Sequence, residues 1–193
     1  MARIKEFNEE KALLKALELF WHKGYNGTSA QDLVTALGIS RSSLYDTFGD
    51  KRSLFIKALK QYEHSATATM VQMANETTDA LKTIKEIFHI LLQEGLQDSL
   101  NKGCFVVNTA VELSSHDAEI KAIISENLRL SEEAFYIAIQ KGKKNCQINP
   151  AIDARTMARF LLNNVMGLRV SFRAGQSRKT IEDIIKVTLS SLE

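Results

Sequence analysis

Apolar residues recur three and four positions apart along nearly the whole of this chain, and no sustained alternation of period two replaces them. Such a repeat lays apolar side chains on one face of an α-helix, whereas a half-buried strand needs every second residue inward. One proline and nine glycines in 193 residues leave little material for the turns of a sandwich or barrel. The chain is therefore expected to be all-α. No run approaches the roughly 18 uninterrupted apolar residues of a membrane span, and residues 1–10 are polar, without a signal-peptide core. A cytoplasmic protein with no membrane partner is expected. Cys104 and Cys146 lie far apart and fit no metal-ligand spacing, which suggests free thiols in a reducing compartment and no metal or other cofactor.

Capping residues and glycines divide the pattern into helices. Asn8 and Gly24 bracket a first helix, Glu9 to Lys23, whose apolar face is Leu13, Ala16, Leu17, Phe20 and Trp21. Ser29 with Asp32 three residues on has the form of a capping box, opening a second helix that Gly38 ends. Ser40 caps a third short helix ending at Gly49, and Asp50 caps a longer fourth. Longer helices follow over roughly 78–100, 117–144, 153–174 and 179–192, with a short apolar one over 104–113. Residues 1–60, with their short capped helices, are expected to form a first domain and 61–193 a larger helical one.

Two short helices separated by Leu37-Gly38-Ile39-Ser40 have the spacing of a helix-turn-helix, though spacing alone also describes an ordinary helical hairpin. Charge adds little: ten basic against seven acidic residues stand in the first 60. The residues say more. The run Thr28-Ser29-Ala30-Gln31-Asp32-Leu33, then Leu37-Gly38-Ile39-Ser40-Arg41-Ser42-Ser43-Leu44-Tyr45-Asp46-Thr47-Phe48-Gly49-Asp50-Lys51, closely resembles the DNA-binding segment of the TetR/AcrR family of bacterial regulators. The similarity includes Ala16 to Phe20 and Gly24-Tyr25 and covers about 50 residues without a gap. A weaker one continues through Lys102-Gly103-Cys104-Phe105, Ala158 to Leu162 and Gly167-Leu168-Arg169-Val170.

The resemblance implies a dimeric regulator that binds palindromic double-stranded operator DNA through residues 1–60 and uses 61–193 for ligand binding and dimerisation, most simply a repressor released by a small-molecule ligand. The candidate DNA contacts are Thr28, Ser29, Gln31, Arg41, Ser42, Ser43, Tyr45, Thr47 and Lys51. Arg41 can pair bidentately with guanine O6 and N7, and Ser42 and Ser43 are small enough to let the helix approach base edges. Thr28, Tyr45 and Lys51 match family positions that hold phosphates. Asp46 and Thr47 depart from the aromatic or basic residues common there; Asp46 would repel phosphate but can accept from cytosine N4.

In the second half, Ile181, Ile184, Ile185 and Leu189 form a stripe on the last helix, and Phe160, Leu161, Leu168 and Phe172 offer apolar surface on the one before. Pairs of these helices from two subunits would make a four-helix bundle. Candidate pocket walls are Met70, Met73, Phe88, Leu91, Phe105, Phe135 and Met166, with Cys104 nearby and with Asn108, Glu112, Asn164 and Arg169 placed to orient a polar group; most of these would equally suit a plain core. Cys104 has two readings: a thiol activated by a helix N-terminus and Lys102, or a small buried hydrophobe. A rival class rests on Glu86-Ile87-Phe88-His89, half the motif of a di-iron carboxylate enzyme. None of His22, His64 and His116 has a glutamate three residues before it, so the second half is missing. For the regulator, a ligand favouring another separation of the recognition helices, relayed by the helix from Asp50 to about Ala74, would change operator affinity.

Overall fold

The computed structural model describes residues 7–192, with 64–66 as backbone only. Among the described residues there are nine α-helices and no strand: α1 Glu9–Lys23, α2 Ala30–Leu37, α3 Arg41–Phe48, α4 Lys51–Glu76, α5 Ala80–Gln97, α6 Phe105–Leu113, α7 Ala118–Lys144, α8 Ala154–Arg173 and α9 Arg178–Ser190. Local chemistry sets these limits. Eight helices begin behind an Asn, Ser or Asp whose side chain accepts from a first-turn amide; α6, behind Cys104, has no such bond. Each such cap is worth about 1 kcal/mol. At Ser29 the box is reciprocal, with Ser29 Oγ accepting from Asp32 N and Asp32 accepting from Ser29 N. Gly38 ends α2 at φ +70°, a left-handed conformation that costs glycine nothing. The fifth helix is shorter than the expected 78–100, because Asp79 caps it at Ala80 and the backbone leaves helical geometry at Asp98.

Two cores hold the helices. The first joins Phe20, Leu33, Leu44, Phe48 and Phe55 of the N-terminal helices to Phe105, Val106 and Leu113 of α6 and to Ile120 and Ile124 of α7. The second packs Ala74 of α4, Ile84, Phe88 and Leu91 of α5, Phe135 and Ile139 of α7, Leu161, Leu168 and Phe172 of α8, and Ile181 of α9. The helix-turn-helix thus shares its core with α6 and α7. At 26 residues, α4 runs from one core to the other, about 39 Å at the helical rise. Gly95 lets α5 approach α8: a Cβ there would stand 2.4 Å from the Phe172 ring.

Candidate nucleic-acid interface and ligand cavity

Leu44 and Phe48 sink one side of α3 into the first core, which turns the other side outward. Arg41, Ser42 and Asp46 are exposed on that side, while Ser43, Tyr45 and Thr47 are half-buried; Ser29, the cap of α2, and Gln31 in its first turn are exposed as well. The Arg41 guanidinium lies 5.7 Å from the Tyr45 ring centroid, so an aromatic face steadies the cation. Ser40 Oγ meets Ser42 Oγ at 2.9 Å and Ser43 Oγ at 2.8 Å, forming a hydroxyl cluster at the start of α3. Hydrogen bonds from Lys23 and Ser29 hold the Asp32 carboxyl well below the usual carboxylate range, so the α2 cap stays charged.

Two expected phosphate ligands serve the scaffold. Thr28 is fully buried and its hydroxyl donates to Gly24 O at 2.7 Å, so that side chain does not reach a DNA backbone. Lys51 Nζ donates to Tyr25 O and Thr28 O, both at 2.9 Å, and lies 4.2 Å from the Tyr25 ring centroid. Of its three donors, one is left for a phosphate.

Three ties bind this module to the rest of the chain. Glu112 on α6 accepts from Tyr25 N at 3.0 Å and Asn26 N at 2.7 Å, capping the α1–α2 turn. Arg52 donates through Nε and Nη2 to both oxygens of Asp117, at 2.7 and 2.9 Å, and also to Glu119 at 2.8 Å. The guanidinium pulls the Asp117 pKa down to about 2. Trp21 Nε1 donates to Gly103 O at 3.1 Å, beneath Lys102 Nζ at 4.1 Å from its ring centroid; Lys102 also pairs with Glu18 at 2.7 Å.

The third tie stands at the edge of a cavity of about 640 Å³. Its apolar wall includes Met70, Met73, Ile87, Ile90, Leu91, Val165 and Phe172, and its polar edge Glu94, Asp98, Lys102 and Arg169, with Trp21 and Tyr62 between. Arg169 donates to Glu94 Oε2 at 2.7 Å. Of the twelve expected pocket residues, Met70, Met73, Leu91 and Arg169 line this cavity. Phe88 and Phe135 are buried in the second core and Phe105 in the first. Glu112 caps the α1–α2 turn instead. Asn108 Nδ2 donates to Lys102 O, and Asn164 Nδ2 to Phe160 O, so each ties backbone. Met166 is half-buried on α8 outside the wall. Cys104 is half-buried too, its Sγ accepting from Tyr62 Oη at 3.8 Å; burial pushes the Tyr62 hydroxyl far above its usual range, so it remains a donor.

The apolar stripes of α8 and α9 divide differently from expectation. Leu161, Leu168, Phe172 and Ile181 are buried in their own subunit, and Phe172 closes the cavity, so none of the four can face a partner. Ile184, Ile185 and Leu189 are half-buried against the same core. Exposed instead are Phe160 and Val170 on α8, at 43% and 52%, and Val187 on α9, at 70%. Helix α8 has apolar residues on several sides, and its sequence does not say which side packs inward. Glu86 and His89 are both exposed on the outer side of α5, away from the bundle interior where di-iron ligands would converge.

Sequence reasoning missed Trp21, Glu94, Asp98, Lys102 and Gly103 as cavity residues. One signal was available: the N–H of a tryptophan on a buried helix face needs an acceptor, and Gly103 supplies it.

Residues 12–58 match the family described as bacterial regulatory proteins, tetR family, and residues 80–188 match the tetracyclin repressor-like C-terminal domain. The chain is 34% identical, over the full length of both, to an uncharacterized HTH-type transcriptional regulator, YezE, of Bacillus subtilis. It is 28% identical to the HTH-type transcriptional repressor ComR of Escherichia coli, across 97% of this chain and 90% of that one. Among solved structures, the TetR family regulator CifR in complex with a 26-base-pair operator superposes with a TM-score of 0.87 at 24% identity, covering 99% of this chain and 100% of that one. No described helix is long and apolar enough to cross a membrane. With both parts of the family pattern matched in order, and a relative aligned end to end, the chain belongs to the TetR family of DNA-binding transcriptional regulators.

Proposed function

We propose that this protein is a cytoplasmic repressor, binding a palindromic operator as a homodimer and leaving it when a small molecule fills the cavity beside Trp21. The observation that carries the reading is that one residue, Trp21, belongs both to the helix-turn-helix module and to the cavity wall. A ligand pressing on the 102–103 turn therefore meets α1 directly. Helix α6 begins just after that turn and carries Glu112, which holds the α1–α2 turn. Through α6, as well as through α4, the cavity can bias the orientation of α3. A dimer fits two half-sites only when its recognition helices stand one helical turn apart, roughly 34–36 Å, or a multiple. A ligand preferring another separation lowers operator affinity by its differential binding to the two states. Repression is supported by the similarity to the repressor ComR.

The test begins with genomic fragments selected by the purified protein and sequenced. Inverted repeats should emerge upstream of genes whose transcripts rise when this gene is deleted. Falling transcripts after deletion would make the protein an activator, and fragments without a shared repeat would remove the operator.

A further inference from the structure

The cavity next to Trp21 has one feature that a plain apolar pocket lacks. Arg169 lines it with a side chain only 19% exposed, yet its guanidinium makes a single hydrogen bond among the described residues, from Nη2 to Glu94 Oε2. A guanidinium has five N–H donors, and leaving a buried one short of partners is costly. Its partner is poorly held: the Glu94 side chain is 54% exposed on the cavity edge and can turn to water. The other cation there is committed, and the second carboxylate is half committed. Lys102 is paired with Glu18 and stacked on Trp21. Asp98 receives Gly103 N on Oδ2, and its Oδ1, which has no hydrogen-bond partner, is shut off from solvent. A cationic ligand would face two fixed cations and compete with Arg169 for Glu94, whereas an anionic one finds unused donors in a partly dry site.

Resting on the reading of this cavity as the effector site, we infer that its ligand is a small apolar acid. The hydrocarbon body lies against Met70, Met73, Leu91, Val165 and Phe172, and the carboxylate takes the place of Glu94 on Arg169. The volume of about 640 Å³ is within the usual range for such ligands. The two methionines tolerate varied shapes, so the acid group supplies the chemical selectivity.

Trp21 is the single tryptophan of the chain, so its fluorescence reports cavity occupancy in the unmodified protein. The full chain is titrated with decanoate, decanol and decylamine, each below its micelle-forming concentration. Decanoate should saturate with an affinity roughly tenfold or more above that of decanol, as expected for a charge-assisted hydrogen bond in a partly dry site, and decylamine should be weakest. Arg169→Gln should bring decanoate down to the affinity of decanol while leaving decanol unchanged. Should that variant not fold, Glu94→Gln, on the exposed edge, keeps the test: removing the competing carboxylate should tighten decanoate and not decanol. Equal binding of acid and alcohol, no saturable decanoate response, or an acid preference unaltered by whichever of these variants folds overturns the inference. Operator affinity is followed in the same solutions. A decanoate that fills the cavity but leaves the operator complex untouched would sink the regulatory reading and leave the acid preference standing.

Discussion

Glu112 Oε1 accepts from Asn26 N at 2.7 Å, joining residues 86 positions apart and fastening the C-terminal end of α6 to the turn that precedes the helix-turn-helix. The same carboxylate accepts from Tyr25 N, so one side chain satisfies two loop amides. Glu112→Ala leaves both without a protein acceptor and should cost about 1–2 kcal/mol in denaturant unfolding. It should also weaken operator binding while leaving cavity occupancy, read from Trp21 fluorescence, as it was. Operator affinity unchanged in the folded variant would remove α6 from the route between cavity and DNA.

Lys51 and Arg41 should part company in their effects. Lys51→Ala removes two bonds to loop carbonyls and should lower stability by about 2 kcal/mol, with weaker binding to every sequence. Arg41→Ala, on an exposed position, should leave the melting temperature in place and lose about 1–3 kcal/mol of discrimination at one base pair in each half-site. Competition assays with single-base operator variants and thermal melts of both proteins decide the matter. A melting temperature for Lys51→Ala equal to that of the parent would return Lys51 to a purely phosphate-binding role.

The exposed apolar residues of α8 and α9 are the proposed subunit contact. Phe160→Glu puts a charge where desolvation would be needed and should yield folded monomers in sedimentation or light scattering. Leu168→Ala, in the subunit core, should instead cost about 2–5 kcal/mol of stability. A dimer that survives Phe160→Glu would place the contact elsewhere.

The bond between Arg52 and Asp117 makes an acid-sensitive join between α4 and α7. Asp117 has its pKa lowered to about 2 in the folded chain, so the join contributes fully above the ordinary carboxylate pKa near 4 and is lost as pH falls through about 2. Asp117→Asn keeps a good α7 cap and removes the charge. The stability gap between parent and variant, measured by denaturant titration, should shrink steadily from pH 4 to pH 2. A constant gap would show that the charge contributes nothing.

Helix limits, the helix-turn-helix and the outward position of Arg41 were legible in the sequence, because caps and apolar periods act within about four residues. Asn8, Ser29, Gly38 and Ser40 carry their instructions locally, and the helices begin and end there. Long-range assignments fared differently. Nothing near Glu112 in sequence announces that it meets Tyr25, and nothing near Trp21 points to Gly103, 82 positions away. On α8, Leu161 and Phe160 are adjacent and equally apolar, yet one is buried in its own core and the other faces solvent. Local residue order is enough to set which segments are helical and which end meets DNA. Which apolar face packs inward, which polar groups bridge the two cores, and where the cavity opens are fixed only when the helices come together. Those choices depend on partners from distant helices, and a periodic pattern records that a face is apolar without naming what will cover it.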